Sequence, residues 1–247
     1  MNLLQVLAVL AAGFTAGGIN AIVGSGSLVT FPVLLAVGFA PVTANVSNSV
    51  GLVFGNVSAA WGYREELVGQ RERALIGGAG TALGAITGGV LLLTLPENVF
   101  EAVVPVLILL ACGLMIVRPK PKLSHGSLSH HRKLALVATG FAVGVYGGYF
   151  GAAQGVILLA ALRFLIPDNL QRLNGLKNVM VGVANGVAAI LFIIVAHVAW
   201  DAAALIAIGS ISGAQLGARH GRRIPDETLR WTVVTVGAAV AIYLFVK

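Results

Sequence analysis

The chain has 247 residues, of which 57% are hydrophobic and only 10% charged, with a net charge of +7. Soluble domains carry about a quarter charged residues, so this chain has too few to cover a water-exposed surface, and an ordinary soluble protein is excluded. The basic residues lie in short loops between apolar segments, which indicates membrane topology and not nucleic-acid binding. The single cysteine, Cys112, excludes an intrachain disulfide framework. The first residues, MNLLQ, lack Lys and Arg, so we expect no cleaved signal peptide.

Five apolar blocks follow one another in the first half, at 3–23, 28–40, 42–61, 74–95 and 98–117. Only the sequence GSGS, at 24–27, separates the first two. The second block would extend about 18 Å as a helix, which is too short for the ~30 Å hydrocarbon core of a bilayer. We therefore predict that the first two blocks form a re-entrant hairpin, which enters and leaves the membrane by the same side, and that three crossings follow.

The second half repeats this order, with blocks at 134–150, 155–166, 174–196, 199–218 and 229–246 and the sequence GAAQG at 151–155. The segment GFTAGGINAIVGSGS from Gly13 aligns with GFAVGVYGGYFGAAQ from Gly140, 127 positions later. Further matches pair GNVSAA with ANGVAA and ALIGGAG with ALIAIGS, at offsets of 129 and 130. Glycines at intervals of four recur as well, in the rows Gly80, Gly84, Gly88 and Gly213, Gly217, Gly221. Such self-similarity predicts an internal duplication.

The loop charges predict how the blocks are threaded through the membrane. Lys and Arg occur in the loops 62–73, 118–133, 163–172 and 219–230, whereas the N-terminus and the loops 38–42, 95–99 and 197–201 have none. Six crossings and two hairpins place every basic loop in the cytoplasm and both termini outside, with Lys247 as the exception. Each half then crosses three times, so the halves are inverted relative to each other. We predict an all-α protein of the cytoplasmic membrane with a single transport domain (1–247), composed of repeat one (1–117), a cytoplasmic linker (118–133) and repeat two (134–247).

Inverted repeats with interrupted helices are typical of secondary transporters, whose solute site lies near the bilayer midplane. A broken helix leaves unpaired N–H groups and the positive end of a helix dipole, which favour an anion. The second arms begin just after Ser27 and Gln154–Gly155, so we expect Ser25, Ser27, Ala153 and Gln154 at the centre of the membrane. Alternatively, the two breaks are only tight turns packed within the protein.

Polar side chains in the helix after each hairpin are further candidates, because such groups are costly in hydrocarbon unless they face a cavity or a partner. Asn48 and Asn178, 130 positions apart, are expected to line the pathway. Asn56 and Asn185 fit solute contact and hydrogen bonding between helices equally well. Lys177 has no basic counterpart in the first half. It either offsets the charge of an anionic solute or extends to the cytoplasmic interface.

The first half contains GGINAIVGSGSLVTFPVLLAVGFAPVTANVSNSVGLVFGNVSAA, with an echo around Gly140–Gly155. This stretch resembles the sulfite exporter TauE/SafE family of membrane permeases, and the resemblance covers nearly the full chain. It rests most on the glycine-rich break, the proline about six residues later and the Ala-rich, polar start of the next helix. The resemblance implies transport of sulfur-containing anions such as sulfite, sulfoacetate and other sulfonates. The second break departs from the glycine-rich form, because GAAQG carries Gln154.

We therefore predict a secondary carrier that moves a small anion, a sulfur oxyanion or an organosulfonate, by alternating access, and we expect no enzymatic activity. The expected substrate-binding residues are Gly24, Ser25, Gly26, Ser27, Asn48, Gly151, Gln154, Gly155, Lys177 and Asn178. No cofactor or metal is expected. The expected partners are the anionic solute and membrane lipid but not nucleic acid, and assembly into a homo-oligomer is left open. The alternatives are a channel-like conductor of the same anions and a non-catalytic membrane subunit of a larger complex.

Overall fold

The fold is all-helical in the residues that the structure, a computed structural model, describes: 1–116 and 129–220, with positions 231, 234, 235, 238 and 242. Between residues 1 and 220 these comprise α1 (Leu3–Ile22), α2 (Ser27–Val37), α3 (Pro41–Gly62), α4 (Arg71–Thr94), α5 (Glu97–Ile116), α6 (His130–Tyr149), α7 (Gln154–Leu165), α8 (Leu170–Val195) and α9 (Trp200–His220). Each corresponds to one predicted block. Most of the last predicted block, 229–246, and most of the linker lie outside the described residues.

Helix lengths confirm the short second arms and revise the first one. Four helices of the described chain, α1, α4, α8 and α9, are long and apolar enough to cross a membrane. The second arms α2 and α7 have only 11 and 12 residues. With 20 residues, α1 extends about 30 Å, which is enough to cross the bilayer, although we predicted it as one arm of a re-entrant hairpin. The end of α2 nevertheless returns to the start of α1, where Nε2 of Gln5 lies 3.4 Å from the carbonyl of Val37, so the predicted sidedness of the loops is the same.

Two glycine rows bring pairs of helices into backbone contact. The α4 glycine row consists of Gly80, Gly84 and Gly88 and faces α6, whereas the α9 glycine row consists of Gly209, Gly213 and Gly217 and faces α1. A Cβ on Gly84 would lie 2.1 Å from the carbonyl oxygen of Phe141, and one on Gly213 would lie 1.8 Å from that of Phe14. Small residues of this kind allow membrane helices to pack closely where larger side chains would keep them apart.

The two rows make equivalent contacts. On α4 the three glycines meet Val137, Phe141 and Val145 in order, and on α9 they meet Leu10, Phe14 and Gly18. The contacts advance in the same direction on both helices, so α4 is parallel to α6 and α9 is parallel to α1. Because Gly209 is the counterpart of Gly80 in this packing, the α9 row begins one turn earlier than the predicted row of Gly213, Gly217 and Gly221. Gly221 lies outside the described residues.

Helices α3 and α8 cross between these pairs and contact both of them. They are antiparallel, because Gly182 of α8 lies beside Asn56, near the middle of α3, whereas Asn174 near the start of α8 binds Tyr63 just after the end of α3. α3 also lies along α9, where the hydroxyl of Ser58 donates to the carbonyl of Ile211 at 2.9 Å. The two arms of each hairpin pack against the helix that follows them: α1 and α2 contact α3, and α6 and α7 contact α8.

An aromatic cluster connects the first hairpin to the second. Phe31 of α2 packs edge-on against Phe150 with ring centroids 5.2 Å apart, and Phe100 of α5 lies 5.8 Å from Phe150 and 5.7 Å from Tyr149. All four residues belong to the larger apolar core of the described chain. This packing fixes the end of α6, where the second break begins.

Candidate functional site

The first break, between α1 and α2, is an ordered turn. The N–H groups of Val23 and Gly24 both donate to the carbonyl of Ile19, at 2.7 and 3.0 Å, which ends α1. Gly24 then has a φ of +90°, a conformation that glycine adopts without steric cost. The Gly26 N–H donates to Oδ1 of Asn20 at 2.6 Å, so the Asn20 side chain holds the start of α2 against the end of α1.

The second break, between α6 and α7, follows the same backbone pattern 127 positions later. The N–H groups of Phe150 and Gly151 both donate to the carbonyl of Tyr146, and Gly151 has a φ of +74°. The breaks differ at their last residue. Ala153 has a φ of +56°, which costs a residue with a Cβ about 1–2 kcal/mol, whereas Gly26 at the equivalent place has a φ of −60°.

The two breaks touch each other through glycine backbones. The N–H of Gly155 donates to the carbonyl of Gly24 at 3.0 Å. A Cβ on Gly24 would lie 2.5 Å from the Cα of Gly155, and a Cβ on Gly155 would lie 2.6 Å from the Cα of Gly24. The fold thus brings these two predicted site residues together from opposite halves of the chain, and a side chain on either one would push the breaks apart.

Several backbone N–H groups at the breaks already have acceptors within the protein. Gln154, Gly155 and Val156 donate to the carbonyls of Gly151, Gly24 and Ala153, and Gly26 donates to the Asn20 side chain. The expectation that these four N–H groups are unpaired is therefore wrong. The tight turns and the contact between the breaks supply acceptors that the sequence pattern did not reveal.

Two buried side chains at the breaks have polar atoms without a partner. Ser25 is 0% exposed and its Oγ makes no hydrogen bond; Gln154 is 1% exposed, and neither its Oε1 nor its Nε2 makes one. The Gln154 amide lies against Gly147, where a Cβ would be 2.3 Å from the amide carbon. Because buried polar groups are nearly always hydrogen-bonded in folded proteins, Ser25 and Gln154 are the groups here best suited to bind a polar solute.

Lys177 is fully buried and binds the end of α1. Its Nζ donates to the carbonyl oxygen of Asn20 at 2.8 Å, and the side-chain amides of Asn174 and Asn178 donate to the carbonyl of Ala21 at 3.0 and 3.1 Å. The last carbonyls of a helix carry the negative end of its dipole, which attracts a cation. A side chain with no exposed surface does not extend to the membrane interface, so that alternative for Lys177 is wrong. None of the ion pairs among the described residues includes it.

Asn48 is buried beside the first hairpin, where its Oδ1 accepts a hydrogen bond from the Thr30 hydroxyl of α2. One turn earlier, Asn45 donates to the carbonyl of Tyr149, at the end of α6, at 3.0 Å. Ser27 is buried as well, at 8% exposure. The predicted residues of the first half therefore all lie at or next to the break.

The asparagine contacts set the register between α3 and α8. Asn45 and Asn174 each bind a carbonyl at the end of the first arm of the opposite half, and they are 129 positions apart. At this spacing Asn48 is matched by Lys177 and not by Asn178, which the offset of 130 had paired with it. The amide of Asn48 in the first half therefore corresponds to the cationic side chain of Lys177 in the second.

Asn20 is the residue of this candidate site that we did not predict. It links the first break to Lys177, because its side chain binds Gly26 and its carbonyl binds Lys177. The available signal was a single amide in the apolar segment GGINAIV, four residues before the break. Thr30, which binds Asn48, likewise gave only the signal of an isolated hydroxyl in an apolar helix.

Charged loops meet on one face of the molecule. Asp168, between α7 and α8, binds Arg73 through Oδ2 at 2.6 Å and Arg172 through Oδ1 at 3.1 Å. The loops 62–73 and 163–172 thus lie on the same face, in agreement with the charge pattern. Burial raises the pKa of the Asp168 carboxyl, but hydrogen bonds from Arg73, the N–H of Asn169 and Arg172 outweigh it, so this pKa lies below its ordinary value.

The opposite ends of the helices make uncharged contacts. The N–H of Ala199, just before α9, donates to the hydroxyl of Ser47 at 2.9 Å, and Nε2 of Gln5 lies 3.4 Å from the carbonyl of Val37. These groups belong to the N-terminal segment and to the regions around the loops 38–42 and 197–201, which lack Lys and Arg. Among the described residues, the basic loops 62–73 and 163–172 are therefore separated from these neutral segments.

Comparison with known proteins assigns the chain to a family. The family model described as "Sulfite exporter TauE/SafE" matches residues 9–244. The chain belongs to the TauE/SafE family. Among curated TauE/SafE-like relatives, the "Probable membrane transporter protein YfcA" of Escherichia coli (strain K12) is 28% identical over 232 residues, covering 92% of this chain and 84% of the relative. The "Probable membrane transporter protein" of Haemophilus influenzae is 32% identical over 222 residues, covering 87% and 85%.

A third relative, the "Probable membrane transporter protein ORF9" of Sinorhizobium sp., is 26% identical over 244 residues, covering 94% of this chain and 89% of the relative. No solved structure matches the chain. Membership in TauE/SafE, together with the four apolar helices, makes this chain an integral membrane protein and a membrane transporter. This is a transporter family and not a class of enzymes.

Proposed function

We propose that this TauE/SafE protein is a secondary transporter that moves a small anion, a sulfur oxyanion or an organosulfonate, across the cytoplasmic membrane by alternating access. The observation that carries the proposal is the contact between the two breaks, at which Ser25 and Gln154 present buried polar atoms without partners. Buried polar groups of this kind are costly unless a solute or another partner binds them. A site at the junction of two broken helices is typical of secondary transporters.

The charge of the site favours an anion. Lys177 is fully buried, and the partner found for its Nζ is an uncharged backbone carbonyl. An isolated charge in a low-dielectric interior is strongly unfavourable unless it is paired. We propose that the anion supplies this pairing. The proposed site comprises Gly24, Ser25, Gly26, Ser27, Asn48, Gly151, Gln154, Gly155, Lys177 and Asn178.

The equivalent glycine rows support a two-fold relation between inverted repeats, each with a hairpin and three crossings. A relation of this kind maps α1 onto α6 and α4 onto α9, which is the correspondence of the packed pairs. The antiparallel crossing of α3 and α8, the matching helices of the two halves, fits the same inversion. Rocking of one half against the other would open the site to each side in turn.

Orientation follows from the loop charges. We propose that the face carrying Asp168, Arg73 and Arg172 is cytoplasmic and that both termini lie outside, because Lys and Arg are enriched in cytoplasmic loops. The proposed partners are the anionic solute and membrane lipid.

A binding and counterflow experiment tests this function. Purified protein is screened by thermal shift against sulfite, sulfate, thiosulfate, sulfoacetate, taurine and simple carboxylates, and sulfur-35-labelled sulfite is followed in proteoliposomes. We expect sulfur anions to stabilise the protein selectively and to drive saturable counterflow. An equal response to carboxylates would refute the substrate class. Unitary currents without counterflow would instead identify an anion channel, and transport that requires a co-purifying protein would identify a membrane subunit.

The role of Lys177 is tested by the variant Lys177→Gln, with Lys133→Gln, at an exposed position of α6, as the matched control. Removing one partner of a buried charge interaction costs about 2–5 kcal/mol, so anion affinity should fall about 30-fold or more. The control should bind normally. Unchanged anion affinity in Lys177→Gln would show that this charge does not bind the solute, and size-exclusion elution and melting temperature report whether each variant is folded.

A further inference from the structure

The Gln154 side chain offers one donor group and one acceptor that the protein does not use. Both Nε2 and Oε1 are buried without a partner, at 1% exposure of the residue. The residue is the first of α7, and its N–H is bound to the carbonyl of Gly151. The side chain occupies the space over Gly147, which a Cβ at that position would fill. The backbone hydrogen bond of Gln154 therefore fixes the start of its side chain beside the contact between the breaks. The absence of a side chain at Gly147 on α6 leaves the space that the amide occupies.

The groups around this contact supply both donors and acceptors. Ser25, next to Gly24 in the opposite break, has a free hydroxyl, and Lys177 reaches the same break through Asn20. A hydroxyl can donate and an ammonium group can only donate, whereas the carbonyl oxygen of Gln154 can only accept. A fully deprotonated oxyanion or a simple sulfonate would satisfy the donors but leave Oε1 of Gln154 buried and unpaired. An unpaired buried acceptor costs about 1–3 kcal/mol.

We propose that the transported solute is a monoanion of an oxyacid that retains one O–H group. The Gln154 amide binds it at two points, with Nε2–H donating to an anionic oxygen and Oε1 accepting from the O–H, while Ser25 donates to a second oxygen. This inference rests on the proposed function and selects, within its two solute classes, the singly protonated oxyanion over the sulfonate without a hydroxyl.

The net charge of the site agrees with a monoanion. One ammonium group, Lys177, and one negative charge together are neutral. A dianion would add an uncompensated charge in a low-dielectric interior, which is strongly unfavourable. Hydrogensulfite therefore fits both the charge and the hydrogen-bonding groups, whereas methanesulfonate fits only the charge.

The test compares these two anions, which carry the same single charge; methanesulfonate has three unprotonated oxygens and a methyl group, so it has no O–H for Oε1 of Gln154 to accept. Displacement of labelled sulfite by unlabelled hydrogensulfite or methanesulfonate is measured with the purified full-length protein at a single mildly acidic pH. A site built to bind a hydroxyl discriminates strongly against an analogue that lacks it. We expect hydrogensulfite to bind at least about 5-fold more tightly, the ratio that corresponds to the lower end of the cost of one unpaired buried acceptor.

The variant Gln154→Met, which keeps the side-chain volume but removes both polar atoms, should reduce this ratio to less than about threefold, because the discriminating acceptor is gone. Gln215→Met is the matched control: its amide donates to Ser58 between α9 and α3, so the ratio should stay at the original value.

Equal affinity of the unmodified protein for both anions would overturn the inference and leave anion transport intact. A full ratio in Gln154→Met would also overturn it. Binding of neither anion would contradict the proposed function as well. If Gln154→Met does not fold, the ratio in the unmodified protein decides.

Discussion

At the scale of single residues, Asn20 makes two contacts, one through its side chain and one through its backbone carbonyl. Its Oδ1 binds the first N–H of the returning chain, and its carbonyl oxygen binds the Lys177 ammonium group. The residue is only 7% exposed, so a lost hydrogen bond at this place is not replaced by bulk water. The first break and the Lys177 ammonium group are therefore linked through one amino acid.

Replacing Asn20 by Ala should destabilise the protein and impair anion binding together. The Gly26 N–H would lose its acceptor, at a cost of about 1–3 kcal/mol for a buried unpaired group, and the start of α2 would lose its position. The measurement is the melting temperature in detergent with and without sulfite. Thr15→Ala serves as the control, because this hydroxyl binds a carbonyl on the exposed side of the same helix. Equal melting temperatures and sulfite responses for both variants would contradict this role of Asn20.

At the scale of helices, close packing depends on glycine wherever two backbones meet. The α4 and α9 rows create two equivalent parallel contacts, and Gly24 and Gly155 create a third between the breaks. Hydrophobic attraction is weak between helices in lipid, so van der Waals contact at short distance contributes much of the association. The helix pairs thus position the breaks.

Adding a methyl group to either row should destabilise the protein to a similar extent. Gly84→Ala and Gly213→Ala place a Cβ against backbone atoms that are not free to move, and overpacking of this kind costs about 1–3 kcal/mol. Gly186→Ala on α8 is the control, because a Cβ there meets nothing within 4 Å and Ala favours a helix over Gly by about 1 kcal/mol. Melting temperatures in one detergent check this. A tolerated Ala at 84 together with a destabilising one at 213 would argue against the equivalence of the rows.

The loop between α7 and α8 is tied to the α3–α4 loop by Asp168, and this connection should weaken in acid. Because the pKa of Asp168 is depressed in the folded protein, its contribution is present above the carboxyl's unfolded pKa of about 3.9 and is lost as the pH falls through the lower folded value. Asp168→Asn should lower the free energy of unfolding by about 2 kcal/mol at neutral pH. The variant should also lose less stability than the unmodified protein below about pH 4. Glu65→Gln, in an exposed ion pair with Arg64 at 3.8 Å, should change neither the free energy of unfolding at neutral pH nor its dependence on pH. Melting curves from neutral to acidic pH distinguish the two variants.

At the scale of the whole molecule, the charged and uncharged loops that the structure describes lie on opposite faces, and the proposed site lies at the junction of the two breaks. The charged face is connected by Asp168 and also by a pair between Lys133 and Glu72. The uncharged face is connected by hydrogen bonds such as that from Ala199 to Ser47. Alternating access requires both sets of contacts to break in turn, so high salt should favour opening at the charged face.

Cysteine labelling tests the proposed orientation. Cys112 is first replaced by Ser, and single cysteines are then introduced by Val68→Cys in the charged face and Trp200→Cys in the uncharged one, both at exposed positions. A membrane-impermeant maleimide added to spheroplasts should label the cysteine at 200 directly and the one at 68 only after permeabilisation. The opposite result would invert the orientation, and labelling of both from outside would refute the separation of the faces.

The sequence by itself determined the class of protein, the positions of the helices and the breaks, and the division of the loops by charge. These properties are local, because a short segment of sequence is enough to recognise each of them. The signals are hydropathy over twenty residues, a glycine where the chain turns, and a cluster of basic residues. For this reason the positions of the breaks at Gly24 and Gly151 and the short lengths of α2 and α7 were predicted correctly. The length of α1, which is sufficient to cross the bilayer, was present in the same pattern but was interpreted as half of a hairpin.

Only the tertiary structure decided which of these features meet. That Gly155 binds Gly24, that Lys177 binds the end of α1 and that Asp168 joins two loops depends on residues far apart in the chain. These contacts form because the helices approach to backbone contact along their glycine rows. A glycine at every fourth position does not by itself indicate which helix will pack against it. The same packing supplies acceptors to N–H groups that we expected to be unpaired, and it leaves the side chains of Ser25 and Gln154 as the unsatisfied groups of the site.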